Sequence, residues 1–200
     1  MKGKSLLDWV IDLTLGAIWS VFATAYGMLL IFVRFSWLDL GLMVYNTLLS
    51  VLFIIRRPAV RYGPWPDFLL AGGAVLLSIE GYHRAPGGYE ALGSVIAGVG
   101  LLAASASLLS LGRSVGIVPA DRGLQTRGMY ALVRHPMYAS ELLFGVGYCL
   151  GNPSRRNWVT WLLLVVCQVG RALREERILA SPEYDAYCQR VRWRFLPGVW

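Results

Sequence analysis

Arg134, His135 and Pro136, and further along Arg171, Glu175 and Glu176, are the side chains in this chain best suited to bind a charged small molecule. Pro136 suits the first turn of a helix, where its missing N–H would lack a partner in any case. A helix that starts there offers free N–H groups and the positive end of its dipole to an anion, beside Arg134 and His135. A returning helix that ends near Glu175 and Glu176 puts two carboxylates at the negative end of its own dipole, against the usual preference for cations. A ligand with a carboxylate and an ammonium or sulfonium answers both features, its anion at Arg134 and His135 and its cations at Glu175 and Glu176. The plainer alternative pairs the glutamates with Arg171, Arg174 and Arg177 on a solvated interfacial helix. Taken alone, the charge cluster favours that pairing.

Helical spacing strengthens the ligand-binding reading. Tyr138, Glu141, Gly145 and Tyr148 recur on one face of the first segment, and Gln168, Arg171 and Glu175 make a matching stripe on the second. By helical rise Glu141 and Arg171 lie roughly 6–8 Å inside the mouth formed by the two segments. An ionisable group at that depth usually faces a partner or a cavity, so the stripes are expected to line a polar cavity.

The elements that must position these groups are apolar. The chain has 200 residues, 56% hydrophobic and 16% charged, with mean hydropathy +0.52, which is too oily for an ordinary soluble domain. Apolar runs at 13–33, 38–55, 67–82 and 92–112 approach the ~20 residues needed to cross ~30 Å of hydrocarbon. Two more, 137–151 and 157–173, flank the turn formers Gly151, Asn152 and Pro153 and predict a helical hairpin. The expected fold is all-α: a polytopic membrane protein of about 5–6 transmembrane helices, with a C-terminal hairpin and a cytoplasmic cofactor pocket. Residues 1–112 form the N-terminal helices and 113–200 the functional core.

Lys2 and Lys4 before an apolar run resemble a secretory signal, but Asp8 and Asp12 interrupt it and the run continues to Val33. Of the 19 basic residues, all but Arg34, Arg84, Arg155 and Arg156 fall on one set of alternate loops, which predicts cytoplasmic termini. The net charge of +7 is spread between apolar runs rather than along one polar face, which argues against nucleic acid. Cys149, Cys167 and Cys188 show neither an even count nor metal-ligand spacing, so neither a disulfide nor a metal site is expected. Gly93, Ala97, Gly100, Ala104 and Ser105 form a small-residue stripe for close helix packing. Asn46 is expected to make an interhelical hydrogen bond, and His83, with Glu80 and Arg84, to lie at a solvated loop end.

The segments "GMYALVRHPMY", "RALREERIL" and "PEYDAYCQRVRWRFLP" together resemble the isoprenylcysteine carboxyl methyltransferase and phospholipid methyltransferase superfamily. The pattern falls on Gly128, Tyr130, Val133, Arg134, His135, Pro136 and Tyr138, then Arg171, Glu175, Glu176 and Leu179, then Tyr184, Tyr187, Arg194, Phe195 and Pro197. The resemblance covers roughly the C-terminal half; the first half matches only in being membrane helices. It implies S-adenosylmethionine as methyl donor, bound without a Rossmann domain, and "GVGYCLG" indeed lacks that domain's glycine spacing. It implies that His135, Tyr138 and Glu175 or Glu176, with Tyr130, Arg134 and Pro136, hold the cofactor. By the same resemblance Arg171 and Arg194 contact an acidic substrate group, and an amine acceptor makes Glu141 the candidate base. The implied partner is a hydrophobic or lipid-like acceptor in the bilayer, and the lack of targeting extensions suits a prokaryotic plasma membrane.

Glu141 follows Ala139 and Ser140 where the methyltransferases carry a small residue, and an acidic residue there resembles instead the NADPH-dependent sterol reductases. The two adjacent glutamates fit the methyltransferases better, since they would repel a nicotinamide phosphate. A non-catalytic lipid-binding relative is the third possibility, disfavoured by the charged groups at the mouth.

Overall fold

A computed structural model describes residues 4–200, with the side chain of Glu80 outside that description. Lys2, counted with the basic loops, also lies outside the described residues. Serines start four helices. Ser5 caps α1 (Leu6–Phe32) in a reciprocal box with Asp8. Ser36 caps α2 (Trp37–Ile55), Ser154 caps α6 (Arg155–Leu179) and Ser181 caps α7 (Pro182–Arg190). Each side-chain oxygen accepts from a backbone N–H that the first helical turn leaves unpaired. Prolines with their fixed φ open two more: α3 (Trp65–Glu80) carries Pro66 in its first turn, and α5 (Pro136–Gly151) begins on Pro136. The last helix of the first half is α4 (Glu90–Leu111), which ends at Gly112 with φ +54°.

The described residues are thus all-helical except for a two-stranded ribbon that the sequence reading did not anticipate. Strand β1 (Arg61–Tyr62) pairs antiparallel with β2 (Ala120–Asp121), Arg61 opposite Asp121 and Tyr62 opposite Ala120. Three helices, α1, α2 and α4, are long and apolar enough to cross a bilayer. The apolar runs predict four such crossings before residue 113, but α3 has only 16 residues, about 24 Å by helical rise. Large apolar side chains on α1 and α4, such as Leu13, Val21, Val95 and Leu102, are exposed, which suits helices immersed in hydrocarbon. The same holds along α6 as far as Val166; from Arg171 onward its residues are charged or partly buried.

The expected hairpin of α5 and α6 is splayed. Its first arm packs chiefly on α4 and its second chiefly on α3. Glycine backbone contact explains this: a Cβ added at Gly147 would lie 2.3 Å from the Ala97 nitrogen, and one at Gly100 would lie 2.5 Å from the Phe144 nitrogen. Gly93, Ala97, Gly100 and Ala104 do face α5, whereas Ser105 bonds its own helix at Leu101 O. Asn46 likewise donates to Leu42 O at 2.7 Å within α2, not across helices, because a short amide on a helix reaches its own preceding turn. His83 is held through its backbone by Asn157, whose side chain bridges the His83 nitrogen and carbonyl.

Buried charge ties the first two helices at the basic end. Asp12, 2% exposed, accepts from Lys4 at 2.6 Å and from Arg56 at 2.5 Å. Removing one partner from such a buried group leaves an uncompensated charge, so the three side chains act as a unit.

Candidate active site

The two stripes meet where α5 begins and α6 ends. Tyr138 donates to Glu175 Oε2 at 2.9 Å, and Gln168 donates to Glu141. The Arg171 guanidinium lies 4.7 Å over the Tyr138 ring, donates to Gln168 Oε1 at 2.8 Å, and reaches across to Ile117 O at 2.7 Å. Arg171 is 6% exposed, and its Nε is buried without a hydrogen-bond partner. The Tyr45 hydroxyl approaches Glu141 at 3.5 Å from α2.

The adjacent glutamates have separate surroundings, because neighbours on a helix point about 100° apart. Glu176 accepts from Arg134 at 2.9 Å, from His135 at 3.3 Å and from Arg194 through both oxygens at 3.0–3.1 Å. Burial alone would raise its carboxyl, but hydrogen bonds from His135 and Arg194 and the electrostatic pull of His135 and Arg134 outweigh that and bring it to about 2. Glu175 is bound by Tyr138, with the His135 Nδ1 at 3.8 Å. Its side chain is 29% exposed, more than twice that of Glu176. His135 stacks on Tyr138 at 5.6 Å and tilts against Phe195 at 5.9 Å.

The C-terminal tail closes this cluster from outside. Arg134 and His135 donate their backbone N–H groups to the Trp193 and Arg194 carbonyls, and the Arg194 N–H bonds the terminal Trp200 carbonyl. Tyr187 on α7 donates to Tyr130 O at 2.7 Å, fixing the loop before α5. Pro136 is fully buried as the first residue of α5.

Two kinds of space adjoin the cluster. A cavity of about 240 Å³ runs between the helices, walled by Trp19, Leu49, Phe53, Leu101 and Leu164, among others, with Glu141, Gln168 and Arg171 at one end. The wall is mostly apolar, so the expected polar cavity is instead an apolar one with a polar end; Trp19, Leu49 and Phe53 come from α1 and α2, outside the two stripes. On the other side are two polar clefts of about 40 Å³ each, both walled by Arg122, Tyr130, His135 and Glu175. Gly116, Met137 and Arg171 belong both to the apolar cavity and to one polar cleft.

Comparison with protein-family models and with curated proteins finds no match to this chain. The geometry therefore carries the functional argument. Of the residues singled out from sequence, Tyr130, His135, Tyr138, Glu175 and Arg171 line a polar cleft, and Arg134 borders the second. Glu141 lies in the apolar cavity. Glu176 and Arg194 line none of these spaces; they neutralise each other behind the site. Arg122 is the residue that sequence reasoning missed: it is 5% exposed, lines both polar clefts, and was visible only as one of many loop arginines.

Proposed function

We propose that the protein is an integral membrane methyltransferase that uses S-adenosylmethionine to methylate a hydrophobic or lipid-like acceptor at the cytoplasmic face. The observation that carries the reading is the shared wall. Arg171, Met137 and Gly116 belong to both an apolar cavity suited to a lipid tail and a polar cleft that holds an acidic group. Donor and acceptor of unlike polarity would meet at that wall.

The cleft residues suit a zwitterionic sulfonium. Glu175 has one carboxylate oxygen engaged by Tyr138 and remains available to a cation, while Glu176 is fully occupied by arginines. The buried Arg122 nitrogens that lack partners suit the opposite charge. When bound, S-adenosylmethionine supplies a methyl group already activated on sulfur, so positioning, worth ~7–11 kcal/mol, dominates the demand on the protein. Arg171 is fixed by Gln168 and Ile117, and its remaining N–H would orient an acceptor carboxylate arriving from the apolar side. An amine acceptor needs a proton acceptor, and Glu141 is the carboxylate on that side.

Six helices crossing in alternation and cytoplasmic termini fit the same picture. The Lys4–Asp12–Arg56 cluster, the bond from Arg57 N to Arg113 O and the bond from Arg171 to Ile117 gather the basic loops at one end. Arg84, Arg155 and Arg156 belong to loops tied at the other, where Tyr89 N bonds Leu150 O and Asn157 bonds His83. Such a charge bias faces the cytoplasm of a prokaryotic plasma membrane.

Incubation with methyl-tritiated S-adenosylmethionine and a total lipid extract tests the reading. Wild type is expected to move label into organic-soluble material, and Arg171→Ala to lose that transfer. The acidic residue that resembles the sterol reductases, Glu141, lies in the apolar cavity, so the parallel incubation contains NADPH. NADPH oxidation without label transfer would replace the methyltransferase reading.

A further inference from the structure

Arg122 sits in a polar cleft with a guanidinium that nothing among the described residues uses fully. Its Nε and Nη1 are buried and have no hydrogen-bond partner among the described residues, and Nη2 makes one long bond of 3.4 Å to the Tyr62 hydroxyl. Buried donors are almost always satisfied, and an orphaned arginine is costlier still because its charge is fixed. Such a group is expected to have a ligand.

The surrounding backbone aims this side chain with care. The β1–β2 ribbon brings Arg122 beside Tyr62, whose ring lies 5.3 Å from the guanidinium carbon. Ser114 donates to the Arg122 carbonyl at 3.1 Å, and Val60 N bonds the preceding Asp121 carbonyl at 2.8 Å. Gly116 borders the guanidinium: a Cβ there would lie 3.5 Å from Nη1, an ordinary van der Waals contact. Burial, then the charge of Arg56, lowers the Arg122 pKa, with only partial relief from Tyr62 and Asp12. Asp12 is itself occupied by Lys4 and Arg56. The local environment is therefore short of negative charge.

Among the arginines that border the clefts, Arg134 is engaged by Glu176 and the Arg192 carbonyl, and Arg171 by Gln168 and Ile117. Only one nitrogen of each lacks a partner, against two on Arg122. Glu175 lines the same two clefts, so they hold a cationic and an anionic wall. Arg122 does not line the apolar cavity, which separates it from an acceptor lying there.

We infer that Arg122 grips the carboxylate of the amino-acid moiety of the cofactor, opposite the cation held by Glu175. The inference rests on the methyltransferase reading and changes its details: the anion goes to the ribbon-borne Arg122 rather than to Arg134, whose charge is spent on Glu176. A planar fork facing a carboxylate gives two parallel charge-assisted bonds.

The test is calorimetric titration of the full-length protein in detergent with S-adenosylhomocysteine and with its decarboxylated analogue S-adenosyl-3-thiopropylamine. Wild type is expected to bind the first at least roughly tenfold more tightly than the second, as suits hydrogen bonds to a charged group. Arg122→Gln should lose that preference by weakening the first while leaving the second unchanged, and Arg122→Lys, which keeps charge without the fork, should fall between. Equal wild-type affinities overturn the inference without any variant. A preference that survives in Arg122→Gln also overturns it while leaving the methyltransferase reading intact. Wild-type silence toward both ligands overturns the reading and the inference together.

Discussion

Glu175 and Glu176 differ by one position and by nearly everything that surrounds them. Glu176 binds three basic side chains and Glu175 faces the cleft, so their amide variants should fail differently. Glu175→Gln is expected to weaken S-adenosylhomocysteine binding roughly tenfold or more with the melting temperature preserved, since a charged hydrogen bond contributes about 1.5–3 kcal/mol. Glu176→Gln should instead loosen the C-terminal tail. The Glu176 carboxyl is held at about 2, below its ordinary 4.5. A depressed folded value means its contribution is fully present above about pH 4.5 and lost as pH falls toward 2. Near-ultraviolet circular dichroism of Trp193 and Trp200 should therefore change over that acid range in wild type and be weak at every pH in Glu176→Gln. An acid-insensitive wild-type signal would remove the cluster from this role. Glu141→Gln completes the set: loss of turnover with intact cofactor binding assigns it to the acceptor, and unchanged turnover returns it to packing.

The helices were legible because their signals are periodic and long. The six apolar runs in the sequence correspond to α1–α6, within two residues except that α1 starts at Leu6 and α6 runs on to Leu179, and the facing stripes follow from a 3.6-residue repeat that brings Tyr138 to Glu175 and Glu141 to Gln168. Which partner each hairpin arm prefers was not legible, because glycine contact depends on two helices at once. Gly147 meets Ala97 through backbone atoms, so Gly147→Val must push α5 off α4. Overpacking of this kind costs about 1–3 kcal/mol, and thermal unfolding in detergent should register it. An unchanged melting temperature would mean that the helices separate freely. Arg122 was hidden for a different reason. Its burial depends on two strands of two residues each, too short to leave any alternation in the sequence.

At the scale of the whole molecule, apolar exposure, basic loops and the two kinds of cavity share one geometry. The exposed apolar faces of α1, α4 and α6 suit a bundle surrounded by hydrocarbon, while the basic loops, the polar clefts and the tail lie together at one end. Green fluorescent protein fused to either terminus should fluoresce in bacterial cells, as the proposed cytoplasmic termini require; a dark fusion at one end alone would contradict that proposed topology. A hydrophobic acceptor reaching the apolar cavity from the bilayer would meet the polar cleft at Arg171. The central claim is that this cleft accepts S-adenosylmethionine. Its most direct test is calorimetric titration of the protein in lipid nanodiscs with S-adenosylhomocysteine, run beside NADPH. The account predicts saturable binding of the first, weakened in Glu175→Gln, and no heat from the second. Silence toward S-adenosylhomocysteine, or binding of NADPH in its place, would contradict it.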